Sequence, residues 1–168
     1  DELKLTFLQV SDLCRQMAEI NPMLGKRGVR LGILLPELYK MQVQAIIKAS
    51  INVYGKNQSK FPPEIMLPMV SNVSELTETK NLINKVRNDL ISKKIKISSK
   101  LPEIGVLIET PAAALISESL AKNCDFLAIG TNDLTMYTLA IDRGDEEVAK
   151  IYDPAHLSVL RLIKLSAD

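Results

Sequence analysis

The sequence predicts an α/β fold with parallel strands, and two observations carry that reading. Three short apolar runs, residues 63–70, 104–110 and 125–130, are each followed by a segment of helical character, the alternation expected of βα units. Two of these runs, "IGVLIET" and "FLAIGTND", pass directly into acidic or small polar residues. In parallel α/β folds the functional groups collect at the carboxyl ends of strands.

The elements follow in order. "LQVSDLCRQMAEI" (8–20) has apolar positions at helical spacing with Ser11 as a cap, and "NPMLGKRG" (21–28) is a turn-rich loop. "PELYKMQVQAIIKASINVYG" (36–55) reads as a helix opened by Pro36, with Glu37 in its first turn. "PEIMLPMV" (63–70) is a buried strand, and "SELTETKNLINKVRNDLISKK" (74–94) is an amphipathic helix capped by Ser74. The strand "IGVLIET" (104–110) leads into a proline-opened helix, "PAAALISESLAKN" (111–123). The strand "DFLAIG" (125–130) precedes a further helix-like segment, and "HLSVLRLIKLSA" (156–167) is the last helix. No internal repeat or low-complexity linker interrupts the pattern.

Composition narrows the function. The 168 residues are 46% hydrophobic and 24% charged, with 21 basic against 20 acidic side chains. A net charge near +1 gives no reason to expect a nucleic acid or an acidic membrane as partner. No apolar run approaches the roughly 20 residues of a membrane-spanning helix, and no signal-peptide pattern opens the chain. Cys14 and Cys124 lie far apart in apolar surroundings, which predicts two reduced, buried thiols in a cytoplasmic protein. A single histidine and the absence of a cysteine pair argue against zinc.

The chemistry gathers at two strand ends. Glu109 closes one run and Asp133 lies just past the next. Neighbouring strands are about 5 Å apart, so both carboxylates are within reach of one divalent cation, Mg²⁺ or Mn²⁺ by their oxygen chemistry. Each has a plainer role open to it: Glu109 as a cap for the helix at Pro111, Asp133 as a first-turn acid favoured by the helix dipole. Arg27 in "GKRG" and Arg143 in "DRG" sit in glycine-bearing turns. Either is a candidate to grip an anion bridged by the metal, or a solvated loop arginine.

The motif "IGVLIETPAAALISESLAKNCDFLAIGTNDLTMYTLAIDRG" resembles the C-terminal barrel of the phosphoenolpyruvate-utilising enzymes. The resemblance runs from "INPMLGKRG" to "VLRLIK". This family includes Enzyme I of the sugar phosphotransferase system, pyruvate phosphate dikinase and phosphoenolpyruvate synthase. The resemblance implies that residues 1–168 are a piece of a phosphoenolpyruvate- or pyruvate-binding domain, a partial (β/α)₈ TIM-type barrel whose flanking strands precede residue 1 and follow residue 168.

On the matching positions, the resemblance makes Glu109 and Asp133 ligands of Mg²⁺, with Mn²⁺ as the alternative. It makes Asn132 the amide beside the substrate, and Arg27 and Arg143 the holders of its phosphate. The implied reaction is Mg-dependent phosphoryl transfer between phosphoenolpyruvate and an enzyme histidine. "NPMLGKRGVRLGI" and "PELYKMQVQAI" resemble the dikinase, whereas "YTLAIDRGDEEVAKIYDPAHLSVLRLI", longer and bordering the site, resembles Enzyme I, which ranks first with the dikinase as the alternative. A non-catalytic barrel piece with an assembly role is the remaining alternative, supported by Met136 in place of the family's Gln, by the missing proton donor and by about three strands where a closed barrel needs eight; Ala128 also departs from the family, which has Ser there. The cysteine that protonates the enolate and the phosphohistidine domain are both expected outside the chain. Cys14, Cys124 and His156 match neither, and His156 is expected to cap or pack at the start of the last helix. An open sheet also predicts self-association, as a homodimer, or cover from neighbouring segments.

Overall fold

The computed structural model describes residues 5–17, 23–57, 59–97, 102–142 and 144–168. Among these, three parallel strands form one sheet in the order β1 (Glu64–Leu67), β2 (Glu103–Ile108), β3 (Phe126–Ile129). Ile65 pairs with Ile104 and Leu67 with Val106, and Val106 and Ile108 pair with Leu127 and Ile129 in turn. Strand–helix alternation in sequence has thus become parallel pairing in space, as expected.

The helices are α1 (Phe7–Met17), α2 (Gly28–Leu34), α3 (Pro36–Tyr54), α4 (Val73–Ser92), α5 (Pro111–Leu115), α6 (Ser117–Ala121), α7 (Thr131–Leu139) and α8 (Leu157–Ala167). On α4 the buried residues Leu76, Thr79, Ile83, Val86 and Leu90 recur every three or four positions, so one stripe faces the core. That stripe packs with Val43 and Ile47 of α3 and with Ile65, Leu67, Ile104, Val106 and Ile108 of the sheet in one continuous cluster. Each such buried aliphatic side chain stabilises the fold by about 1.5–3 kcal/mol. The other face of the sheet carries Met66, which is 46% exposed, and the partly buried Leu107, Phe126 and Ala128.

Several boundaries differ from the sequence reading. Ser11 lies inside α1; Thr6 makes the capping contacts, accepting from Gln9 N at 3.3 Å while its own N–H donates to Gln9 Oε1 at 2.8 Å. Helix α4 begins one residue early because Asn72, in an extended backbone, accepts from Ser74 N at 3.0 Å and donates to Glu75 Oε2 at 3.0 Å. Ser74 is therefore inside the helix rather than its cap. The helix expected over 111–123 is broken at Ile116, whose backbone (φ −113°, ψ 18°) leaves helical geometry. Thr110 caps α5 by accepting from Ala113 N at 3.1 Å, which leaves Glu109 free of the capping role. His156 does cap α8, its Nδ1 accepting from Ser158 N at 3.3 Å. The cysteines depart from expectation: Cys14 is exposed on α1 and Cys124 only half-buried. An exposed thiol on α1 follows from the helix itself, whose residues 7–15 are all exposed except the half-buried Ser11.

Candidate active site

The site lies at the carboxyl ends of the strands. Glu109 follows directly on β2 and is 6% exposed. Its Oε1 accepts from the backbone N–H of Met69 at 2.7 Å, in the turn that leaves β1. Met69 is held in the left-handed region (φ 61°), an uncommon conformation for a residue with a side chain. Gly28 explains how that turn is braced. At φ 56° it begins α2, and a Cβ there would fall 2.6 Å from Met69 Cβ and 2.9 Å from the Pro68 carbonyl. With no side chain in the way, Val29 N donates to Pro68 O at 2.9 Å, and α2 docks on the exit of β1. Arg27, the residue before α2, is carried to the same place.

On the other side, β3 ends at Ile129 and α7 starts at Thr131, with Asp133 in the first turn. This corrects the expectation of two carboxylates at matching strand ends. Glu109 is at a strand end, whereas Asp133 belongs to the following helix, where the helix dipole favours a negative charge. Asp133 is nevertheless turned inward: it is 9% exposed, and its Oδ2 takes Arg27 Nη2 at 2.5 Å. Gly130 joins the two carboxylate segments. Its N–H donates to Ile108 O at 2.9 Å, and a Cβ on it would lie 2.9 Å from both Cβ and Oε2 of Glu109.

Burial pushes the Glu109 carboxyl above its ordinary range. The Met69 N–H opposes that shift, the negative charge of Asp133 adds to it, and Arg27 opposes it. Tyr137, one turn beyond Asp133, is also raised by burial, and its hydroxyl donates to the Met23 carbonyl. Asn132 is exposed, and its carbonyl accepts from Tyr152 at 3.4 Å. Met136 is 5% exposed, an apolar core residue beside the site. Arg143 lies outside the described residues.

Sequence reasoning found Glu109, Asp133 and Arg27, and the fold brings these three together. It missed Met69 and Gly130. No local signal marks Met69, since its contribution is a backbone N–H; Gly130 is visible only as the glycine closing "FLAIG".

The residues fit a hard divalent cation. Two buried carboxylates supply oxygen donors only, the chemistry preferred by Mg²⁺ and Mn²⁺. The guanidinium of Arg27 already sets a positive charge against Asp133. Among the described residues no group of three His, Cys, Asp or Glu side chains converges to hold an ion, so the pair alone would leave positions for substrate oxygens.

The fold and site define a class: a parallel α/β domain in which a buried glutamate at one strand end lies beside an aspartate–arginine pair at the next helix start. The chain belongs to the family of PEP-utilising enzymes, as their PEP-binding domain, which it matches over residues 4–168. It is 40% identical over 146 residues to the phosphoenolpyruvate-protein phosphotransferase of Staphylococcus epidermidis, covering 87% of this chain and 24% of that protein. It is 40% identical over 150 residues to the protein of the same name from Haemophilus influenzae, covering 89% and 24%. A third, from Buchnera aphidicola, is 41% identical over 146 residues, covering 87% and 24%. The chain spans about a quarter of the length of the curated relatives it matches.

Proposed function

We propose that this chain is the metal- and anion-binding part of an Enzyme I-like phosphotransferase, which moves the phosphoryl group of phosphoenolpyruvate to a histidine. The observation that carries this reading is the buried Glu109 carboxylate facing the Asp133–Arg27 pair. Desolvating two acids side by side is unfavourable, and a ligand bringing positive charge would offset that cost. The names of the relatives favour Enzyme I over the dikinase.

In this reading Glu109 and Asp133 hold Mg²⁺, or Mn²⁺ in its place. The cation supplies a positive charge that draws electron density from substrate oxygens. Arg27 turns from Asp133 to the phosphate, and the Asn132 side chain, exposed on the first turn of α7, meets the substrate from the helix end. The resemblance alone assigns Arg143, outside the described residues, to the same anion. Met136, buried one turn beyond Asp133, stands where the resemblance expects a polar side chain. The phosphohistidine domain, the proton-donating cysteine and the remaining strands of a (β/α)₈ barrel belong to the complete protein. The exposed Met66 on the uncovered sheet face supports that barrel, because parallel sheets are buried on both faces. Cytoplasmic location and a homodimer are part of the same reading.

The test is Asp133→Asn in the complete protein. It should abolish Mg²⁺-dependent phosphorylation by phosphoenolpyruvate while circular dichroism stays unchanged. A variant with wild-type rate and Mg²⁺ dependence would sink the assignment.

A further inference from the structure

We propose that Gly130 and the backbone N–H of Met69 are positioning groups that fix the Glu109 carboxylate, so that one defined oxygen is presented to the bound cation. The inference rests on the reading above for the identity of that ligand, and on geometry alone for the positioning.

A glutamate after a strand has three side-chain torsions, and its two oxygens are chemically equal until the surroundings distinguish them. Here they do. Oε1 accepts the Met69 N–H at 2.7 Å. This donor is rigid because Met69 is 1% exposed and its turn is wedged against Gly28, where a Cβ would come within 2.6 Å of the Met69 side chain. Oε2 lies over Gly130, in the space that a Cβ there would fill at 2.9 Å. One oxygen is therefore tied to the exit of β1, and the other is seated at the β3–α7 junction that also carries Asp133.

The backbone of Gly130 (φ −92°, ψ 82°) is open to residues with a side chain. Its φ thus gives no reason for glycine at this position. A Cβ there would meet Glu109 Cβ and Oε2 first and then, at 3.2 Å, Leu107 Cδ2, the far end of a flexible side chain. A methyl group would press on Glu109 at both its Cβ and its Oε2, each 2.9 Å away, and of these the carboxylate end, beyond three side-chain torsions, is the part free to yield.

The experiment uses the complete protein with Gly130→Ala, Glu109→Gln and the double variant. Without metal, exchange of the Met69 amide is followed by NMR; with metal, Mn²⁺ affinity is followed by water-proton relaxation. Gly130→Ala should speed Met69 amide exchange at least about tenfold, because the acceptor of that N–H has moved. It should also weaken Mn²⁺ at least about tenfold, and the double variant should bind no more weakly than Glu109→Gln, as expected when one residue acts through the other. Wild-type Met69 exchange in folded Gly130→Ala would overturn the positioning role, as would an additive loss in the double variant. Should Gly130→Ala fail to fold, Glu109→Asp takes its place. Its carboxylate, one methylene shorter, draws away from Met69, and unchanged amide exchange there overturns the proposal equally. If Glu109→Gln keeps wild-type Mn²⁺ affinity, the metal assignment falls, whereas the amide measurement still decides the positioning.

Discussion

Glu109 shows what the site costs its own fold. Burial takes its charge out of water and raises its pKa above the ordinary carboxylate value. The folded state then binds the proton more tightly than the unfolded one, so stability falls as pH rises from the unfolded value toward the raised folded one. The ionised form of Glu109 is therefore penalised by folding. Glu109→Gln removes the charge and leaves an amide oxygen for Met69 N–H. With chelator present, the variant should unfold at higher denaturant than wild type at pH 7, and the difference should vanish as the pH falls to about 4 and below. A variant less stable at pH 7 would mean that attraction to Arg27 outweighs burial. The type and place of this residue were legible in the sequence because acids at strand ends are conspicuous. Its hydrogen-bond donor was not, since Met69 acts through the main chain and lies 40 residues away.

At the scale of elements, the helices follow caps more closely than periodicity. Asn72 and Ser74 both precede the apolar stripe of α4 as cap candidates, and Asn72 has the extended backbone (φ −146°, ψ 149°) that lets its side chain reach Ser74 N. Asn72→Ala should cost about 1 kcal/mol, read as a shift in the urea midpoint. Ser74→Ala, already inside the helix, should shift it by less than about 0.5 kcal/mol; the reverse order would move the helix start. Local chemistry also decides α7. After Gly130 the chain turns helical at Thr131, so Asp133 gains the favourable end of a helix while still facing Arg27. Periodicity marked the segment as helical and left its first residue undefined, because several consecutive small polar residues are compatible with strand end or helix start.

At the scale of the molecule, one face of the sheet is more fully packed than the other. Ile65, Leu67, Ile104, Val106 and Ile108 are all no more than 9% exposed, whereas Met66 is 46% exposed. In the proposed barrel that second face is the interior. Met66→Lys in the complete protein should therefore lower stability by about 2 kcal/mol or more, the cost of placing a charge in a packed interior. An unchanged denaturation midpoint would show that this face meets water and would count against a closed barrel.

By itself the sequence determined the α/β class, the parallel pairing of three strands, and which acids would stand near their carboxyl ends. These are local properties: period, caps, and the residue types that break an apolar run. Only the tertiary structure decided what those acids meet. Arg27 reaches Asp133 across 106 residues and Met69 reaches Glu109 across 40; Gly28 and Gly130 are crowded by Met69 and Glu109, residues distant in the chain. Contacts of that kind depend on how βα units stack, and stacking is fixed by burial summed over the whole core rather than by any stretch of residues near the site.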